Sequence, residues 1–176
     1  MTSSLSLVRR VRSYEKGSRG TYRSECHFLD FVVDGRSLLE IVAERNPGNA
    51  DMASALWLAP ALEDDDAVGW MLGRCASPLD DGRVPLYVCP ECGDLGCGAL
   101  TAVVEVFSDQ VVWRDLGWQT DYRDEVDYGD FIGLGPFVFD RVQYEAALSV
   151  VPEFRAREER EAPVQEPRPW WMWWRR

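Results

Sequence analysis

Lysine and histidine are nearly missing from this chain. Lys16 and His27 are the only examples, although nineteen Lys and Arg residues and thirty Asp and Glu residues are present. The lysine shortage carries no structural message. A single histidine, however, removes the His-Glu-x-x-His helix, and a lone histidine in a strand-like run is read as a packed or surface residue. Also missing are a Gly-x-Ser-x-Gly elbow and a Walker loop, and Gly133-Leu-Gly135 lacks the third glycine of a dinucleotide loop. No run of about 18 apolar residues exists, so no membrane-spanning helix is expected. Residues 1–12 hold Leu5, Leu7 and Val8 but place Arg9, Arg10 and Arg12 where an apolar targeting segment would have to be.

What is present is acidic charge, unevenly spread. The formal net charge of the 176 residues is −11. Residues 1–24 carry six basic and one acidic residue, whereas residues 25–150 carry seven basic and twenty-four acidic. Such a core repels phosphate backbones, so nucleic acid is not expected as a partner. The basic segment 1–24 reads as a solvated arm. A domain of about 150 residues buries roughly 70% of its unfolded surface, so a metal is not needed merely to supply a core. The acidic runs Glu63–Asp66 and Asp121–Asp130 lack calcium-loop spacing and read as solvated loops.

Chemistry concentrates in Cys89-Pro-Glu-Cys-Gly-Asp-Leu-Gly-Cys-Gly98, which holds three of the five cysteines in a C-x2-C-x4-C spacing. Cys-Pro-x-Cys-Gly is the form of a thiolate knuckle: the turn aims two sulfurs at one point and Gly93 lets the backbone fold close behind them. Zinc, with four ligands at about 2.0–2.3 Å, is the cation this donor set suits. Cys89 and Cys92 would form the knuckle, Cys97 a third ligand and Cys75 the fourth, with Cys26 and His27 as the other candidates. A full zinc ribbon would need a second C-x2-C, which the chain lacks. Two other readings stand beside it. The glycines can shape a tight loop in which the cysteines simply pack, or Cys92–Cys97 or Cys89–Cys92 can act as a redox couple. Glu91 and Asp94 would raise a nearby thiol pKa, against the redox reading. An odd cysteine count, with three bunched too tightly for a disulfide framework, places the protein in a reducing cytoplasm.

The local pattern predicts an α+β domain over residues 25–151, with an antiparallel sheet. Cys26–Val33 reads as a strand closed by Asp34-Gly35. Ser37-Leu-Leu-Glu40 is a capping box for a helix over 38–44. Val84–Val88 reads as a strand entering the cysteine loop, and 100–107 with 110–118 as a hairpin around Ser108-Asp109. Asp140 and Gln143 form an N-cap pair for a helix over 141–150. Residues 152–176 read as a Pro- and Glu-rich linker and a tail ending Trp170-Trp-Met-Trp-Trp-Arg-Arg176. Trp170, Trp171, Trp173 and Trp174 suit a docking peptide for a protein partner, and less well a membrane surface.

From residue 84 to 150 the chain resembles a family of small, uncharacterised bacterial proteins. The resemblance rests on Cys92-Gly-Asp-Leu-Gly-Cys97, Val111-Val-Trp113, Gly135-Pro-Phe-Val-Phe139 and Tyr144-Glu-Ala-Ala-Leu148. It implies a shared fold and assigns no catalytic residue; the Trp tail is not part of it. The expected function is a non-enzymatic binding or adaptor domain with a cysteine loop that holds zinc. The alternatives are a thiol-dependent redox enzyme using Cys92 or Cys97, and a hydrolase using paired carboxylates.

Overall fold

A computed structural model describes residues 2–18, 22–57 and 66–161. The Trp170–Trp174 tail, Leu58 and most of the Glu63–Asp66 run lie outside the described residues. The architecture is α+β, as expected, and every pairing between its strands is antiparallel.

The chain opens with β1 (Leu5–Arg12), the short ribbon β2 (Glu15–Lys16) and β3 (Tyr22–Arg23), then β4 (Cys26–Val33) and β5 (Arg36–Ser37). β4 lies between β1 and β5. Asp34 and Gly35 both take positive φ, 50° and 80°, the conformation a two-residue hairpin turn requires. Helix α1 (Leu38–Arg45) starts at once, because the Ser37 hydroxyl accepts from the Glu40 N–H at 3.1 Å. After β6 (Ala53–Ser54) and α2 (Ala67–Met71), β7 (Val84–Val88) leads into the cysteine loop. The loop returns as β8 (Ala99–Val106), which turns into β9 (Gln110–Gln119). β10 (Phe137–Asp140) ends at the N-cap of α3 (Arg141–Leu148), where Asp140 accepts from the Gln143 N–H at 2.9 Å. α4 (Val151–Glu161) follows. The larger sheet runs β10-β9-β8-β7-β6.

The core is aromatic, and its rings meet edge to face. Phe31 lies 5.6 Å from Tyr87 and 5.2 Å from Trp113, and Trp113 lies 5.2 Å from Phe139. Polar tips are satisfied: Trp113 Nε1 donates to the Tyr144 hydroxyl at 3.0 Å, which donates to the Met71 carbonyl at 3.2 Å. Among the described residues, one carboxylate, Asp30, is fully buried. It accepts from the Tyr87 hydroxyl at 2.5 Å and the Ser37 hydroxyl at 2.6 Å, and pairs with Arg10 Nε at 2.8 Å.

Two segments differ from the sequence reading. The segment expected to be a solvated arm contributes β1, paired with β4 from Leu5↔Val33 to Arg12↔Cys26. Its arginines are matched by distant carboxylates, so charge holds the segment on the domain. The stretch read as a linker after Pro152 forms α4, which buries Val151 and Phe154. Those two apolar residues, three positions apart, share a face that the surrounding charges hid.

Replacing Asp30 by Ala leaves Arg10 with Glu40 alone and removes the partner of two buried hydroxyls, so a loss of about 3–5 kcal/mol is expected. Tyr87→Phe, which removes one hydrogen bond to the buried carboxylate, should cost less, about 1.5–3 kcal/mol. Urea unfolding of both variants checks this ordering, and equal losses would contradict it.

Candidate metal centre

The site is built where β7 gives way to β8. Gly93, at φ 74°, turns the chain, and its N–H reaches back to the Cys89 carbonyl at 2.8 Å. Asp94 caps the short helical turn Leu95–Cys97 by accepting from the Gly96 N–H at 2.7 Å, and Leu95 is buried beneath it. Gly98 closes the loop at φ 98° and ψ 148°, a region open only to glycine. A β-carbon there would collide with the Trp118 ring, so the glycine also admits the indole against the loop.

This backbone brings the sulfurs of Cys89, Cys92 and Cys97 within 4.8 Å of one another. Three of the four expected ligands therefore converge at a spacing that can hold a metal ion. Cys75 sits elsewhere, beside α2, with its sulfur 3.8 Å from the Asp66 carbonyl oxygen. The two other candidates are also committed elsewhere. Cys26 is buried in β4. His27 Nδ1 lies 2.5 Å from Glu158 on α4, and its Nε2 lies 3.3 Å from Glu25. Among the described residues, no further His, Cys, Asp or Glu joins the three sulfurs.

The three thiols are electrostatically unequal. Burial pushes Cys89 up, but hydrogen bonds to its sulfur from the backbone N–H groups of Glu91 and Cys92, and from the neighbouring thiols, outweigh it and leave its pKa below the ordinary value. Cys92 is raised, by burial first and by the adjoining Cys89, against the pull of the Asp94 amide. Cys97 is pushed up to about 12, first by its hydrogen bond with Cys92, then by burial and the negative charge beside it. Crowded thiols ionise in this way when the first thiolate opposes the next. A dication among the sulfurs removes that opposition, because its charge favours deprotonation of every ligand.

A residue that the sequence reading left in the solvated arm anchors this loop. Arg12, at the end of β1, pairs with Glu91 at 2.7 Å and with Asp51 at 2.6 Å, and donates to the Ser24 carbonyl at 2.7 Å. Glu91 also accepts from the Ser24 N–H at 3.0 Å. No local signal marks this clamp, since Arg12 and Glu91 are 79 positions apart. Arg12 is raised, foremost by its hydrogen bond with Asp51, and the same bond holds Asp51 below the usual carboxylate range.

Because the folded pKa of Asp51 is depressed, its contribution to stability is complete above its unfolded value of about 3.9 and fades as pH falls through the folded value. Asp51→Asn should therefore destabilise the protein at pH 7 and converge on the unsubstituted protein well below pH 4. Urea midpoints at neutral and acid pH measure this, and a gap that stays constant with pH would refute the linkage.

The chain matches no family among protein-family models, no curated protein and no solved structure.

Proposed function

We propose that this is a non-enzymatic binding domain whose cysteine loop is set by zinc on Cys89, Cys92 and Cys97. One observation carries the reading. Tetrahedral zinc with metal–sulfur bonds of about 2.3 Å separates its sulfurs by about 3.8 Å, and the Cys92 and Cys97 sulfurs stand 3.7 Å apart. A disulfide would need about 2.05 Å. A redox enzyme using Cys92 or Cys97 is less well supported, because both thiols are pushed up, Cys97 to about 12, and the lowered thiol, Cys89, is only partly exposed, whereas a reactive cysteine needs an accessible thiolate. Thiolates also prefer zinc to the hard cations that acidic loops take.

Partner binding is assigned to the C-terminal tail. Its support is composition: Trp170, Trp171, Trp173 and Trp174 with Arg175 and Arg176 are rigid aromatic and cationic anchors of the kind found at interface hot spots. Helix α4 carries the chain out to Glu161 with an exposed, charged outer side. No helix among the described residues is long and apolar enough to cross a membrane.

Protein purified in reductant without chelator should contain about one zinc per chain. Cys92→Ser should lose the metal and melt several degrees lower, while keeping its strand and helix signal because the rings of Phe31, Tyr87, Trp113 and Phe139 pack outside the loop. Elemental analysis with thermal melting tests this; a metal-free protein whose melting is untouched by Cys92→Ser would end the zinc reading. Deleting residues 163–176 should leave melting and zinc content unchanged and abolish capture of the partner. If the truncated chain no longer folds, the tail belongs to the domain itself.

A further inference from the structure

Three sulfurs leave a tetrahedral metal one ligand short, and one of the three cysteines, Cys97, borders a cleft. Cys97 and Gly96 form one wall of an open cleft of about 750 Å³. Trp118, held against Gly98, lines the same cleft, as do Thr120, Tyr122, Arg123 and Glu125. The Thr120 hydroxyl is buried and has no hydrogen-bond partner, an unusual state for a polar atom away from water. Arg123 lies 5.6 Å from the Tyr122 ring centroid and forms no ion pair among the described residues. The cleft therefore combines an aromatic wall, an unused hydroxyl, a guanidinium outside any ion pair of the described residues and two carboxylates, Glu125 and Asp127.

We propose that this cleft is a thiol-binding site: a small aminothiol or cysteine-bearing peptide lies in it and supplies the fourth, sulfur ligand to the metal. The assignment rests on the zinc reading above. Softness selects sulfur, since a thiolate-rich site prefers a further thiolate to oxygen donors. Three thiolates also cancel more than the dication's charge, which weakens its hold on the proton balance of bound water and disfavours a hydrolytic role. The charges select the rest of the ligand. A carboxylate suits Arg123 and an ammonium suits Glu125 and Asp127, so a zwitterionic thiol has a counter-charge for each end. On binding, the thiol displaces water from the metal and releases its proton to solvent, with no change of oxidation state.

The test uses full-length protein loaded with cobalt(II), whose absorption reports the number of bound sulfurs. L-cysteine should intensify the sulfur-to-cobalt band and reach half effect at a concentration about tenfold lower than 2-mercaptoethanol, while L-serine leaves the spectrum unchanged. Arg123→Ala should raise the L-cysteine requirement about tenfold and leave that of 2-mercaptoethanol within about twofold. Cobalt retained after desalting shows that the thiol has joined the site rather than stripped it. Loaded protein whose spectrum ignores millimolar thiol, loses its cobalt to it, or responds equally to both thiols before and after Arg123→Ala overturns the proposal. Protein that never takes up cobalt overturns the zinc reading itself.

Discussion

Burial of the Asp30 carboxylate is the constraint on which the arrangement of the two sheets depends. A charge with no exposed surface is tolerated only when paired and hydrogen-bonded. Its partners come from three directions: Arg10 on β1, Ser37 at the start of α1, and Tyr87 on β7 of the other sheet. The Ser37 hydroxyl that donates to Asp30 is also the one that caps α1, so a single oxygen fixes both the helix start and the carboxylate. Phe28, Leu29, Asp30 and Phe31 are all buried, which means β4 is covered on both faces. A strand in that position reads as a continuous run rather than an alternation. Tyr87 then does two jobs: its hydroxyl satisfies Asp30 and its ring packs edge-on against Phe31. Polar specificity and apolar packing meet in one side chain, and the second sheet is positioned by both.

What the sequence revealed was local. The strands at Cys26–Val33 and Val84–Val88, the Asp34-Gly35 turn, and the caps at Ser37 and Asp140 all rest on neighbours within a few positions, and the structure places them where that chemistry predicts. What it hid was long-range. The arginines at 9, 10 and 12 look solvated because their carboxylates stand far along the chain. Arg9 meets Glu158, Arg10 meets Asp30 and Glu40, and Arg12 meets Asp51 and Glu91. The acidity of residues 25–150 and the basicity of the first strand are thus partly one interaction, divided by topology. The same limit applies to the site. Three cysteines within nine positions were legible as a group, but placing Cys75 apart from them required knowing how α2 lies relative to the loop. Trp118 and Arg123, which line the cleft beside Cys97, carry no spacing signal at all.

The position of β1 ties the two ends of the described chain to the candidate metal centre. At one end of the strand, Arg12 grips Glu91 inside the knuckle. Three residues earlier, Arg9 pairs with Glu158 on α4 at 2.8 Å, and His27, paired with Val11 across the strands, meets the same carboxylate. The cysteine loop and the helix that leads to the Trp tail therefore hang on neighbouring positions of one β1–β4 hairpin. In the sulfur cluster itself, repulsion between thiolates works against tightening of the loop, and a dication turns that repulsion into attraction. Because Glu91 sits between Cys89 and Cys92 in sequence, whatever fixes the two sulfurs also fixes the carboxylate that Arg12 holds. A metal on the three sulfurs would therefore reinforce the seating of β1, and the reverse: each restricts the same turn, and the entropy of ordering it is lost once for both.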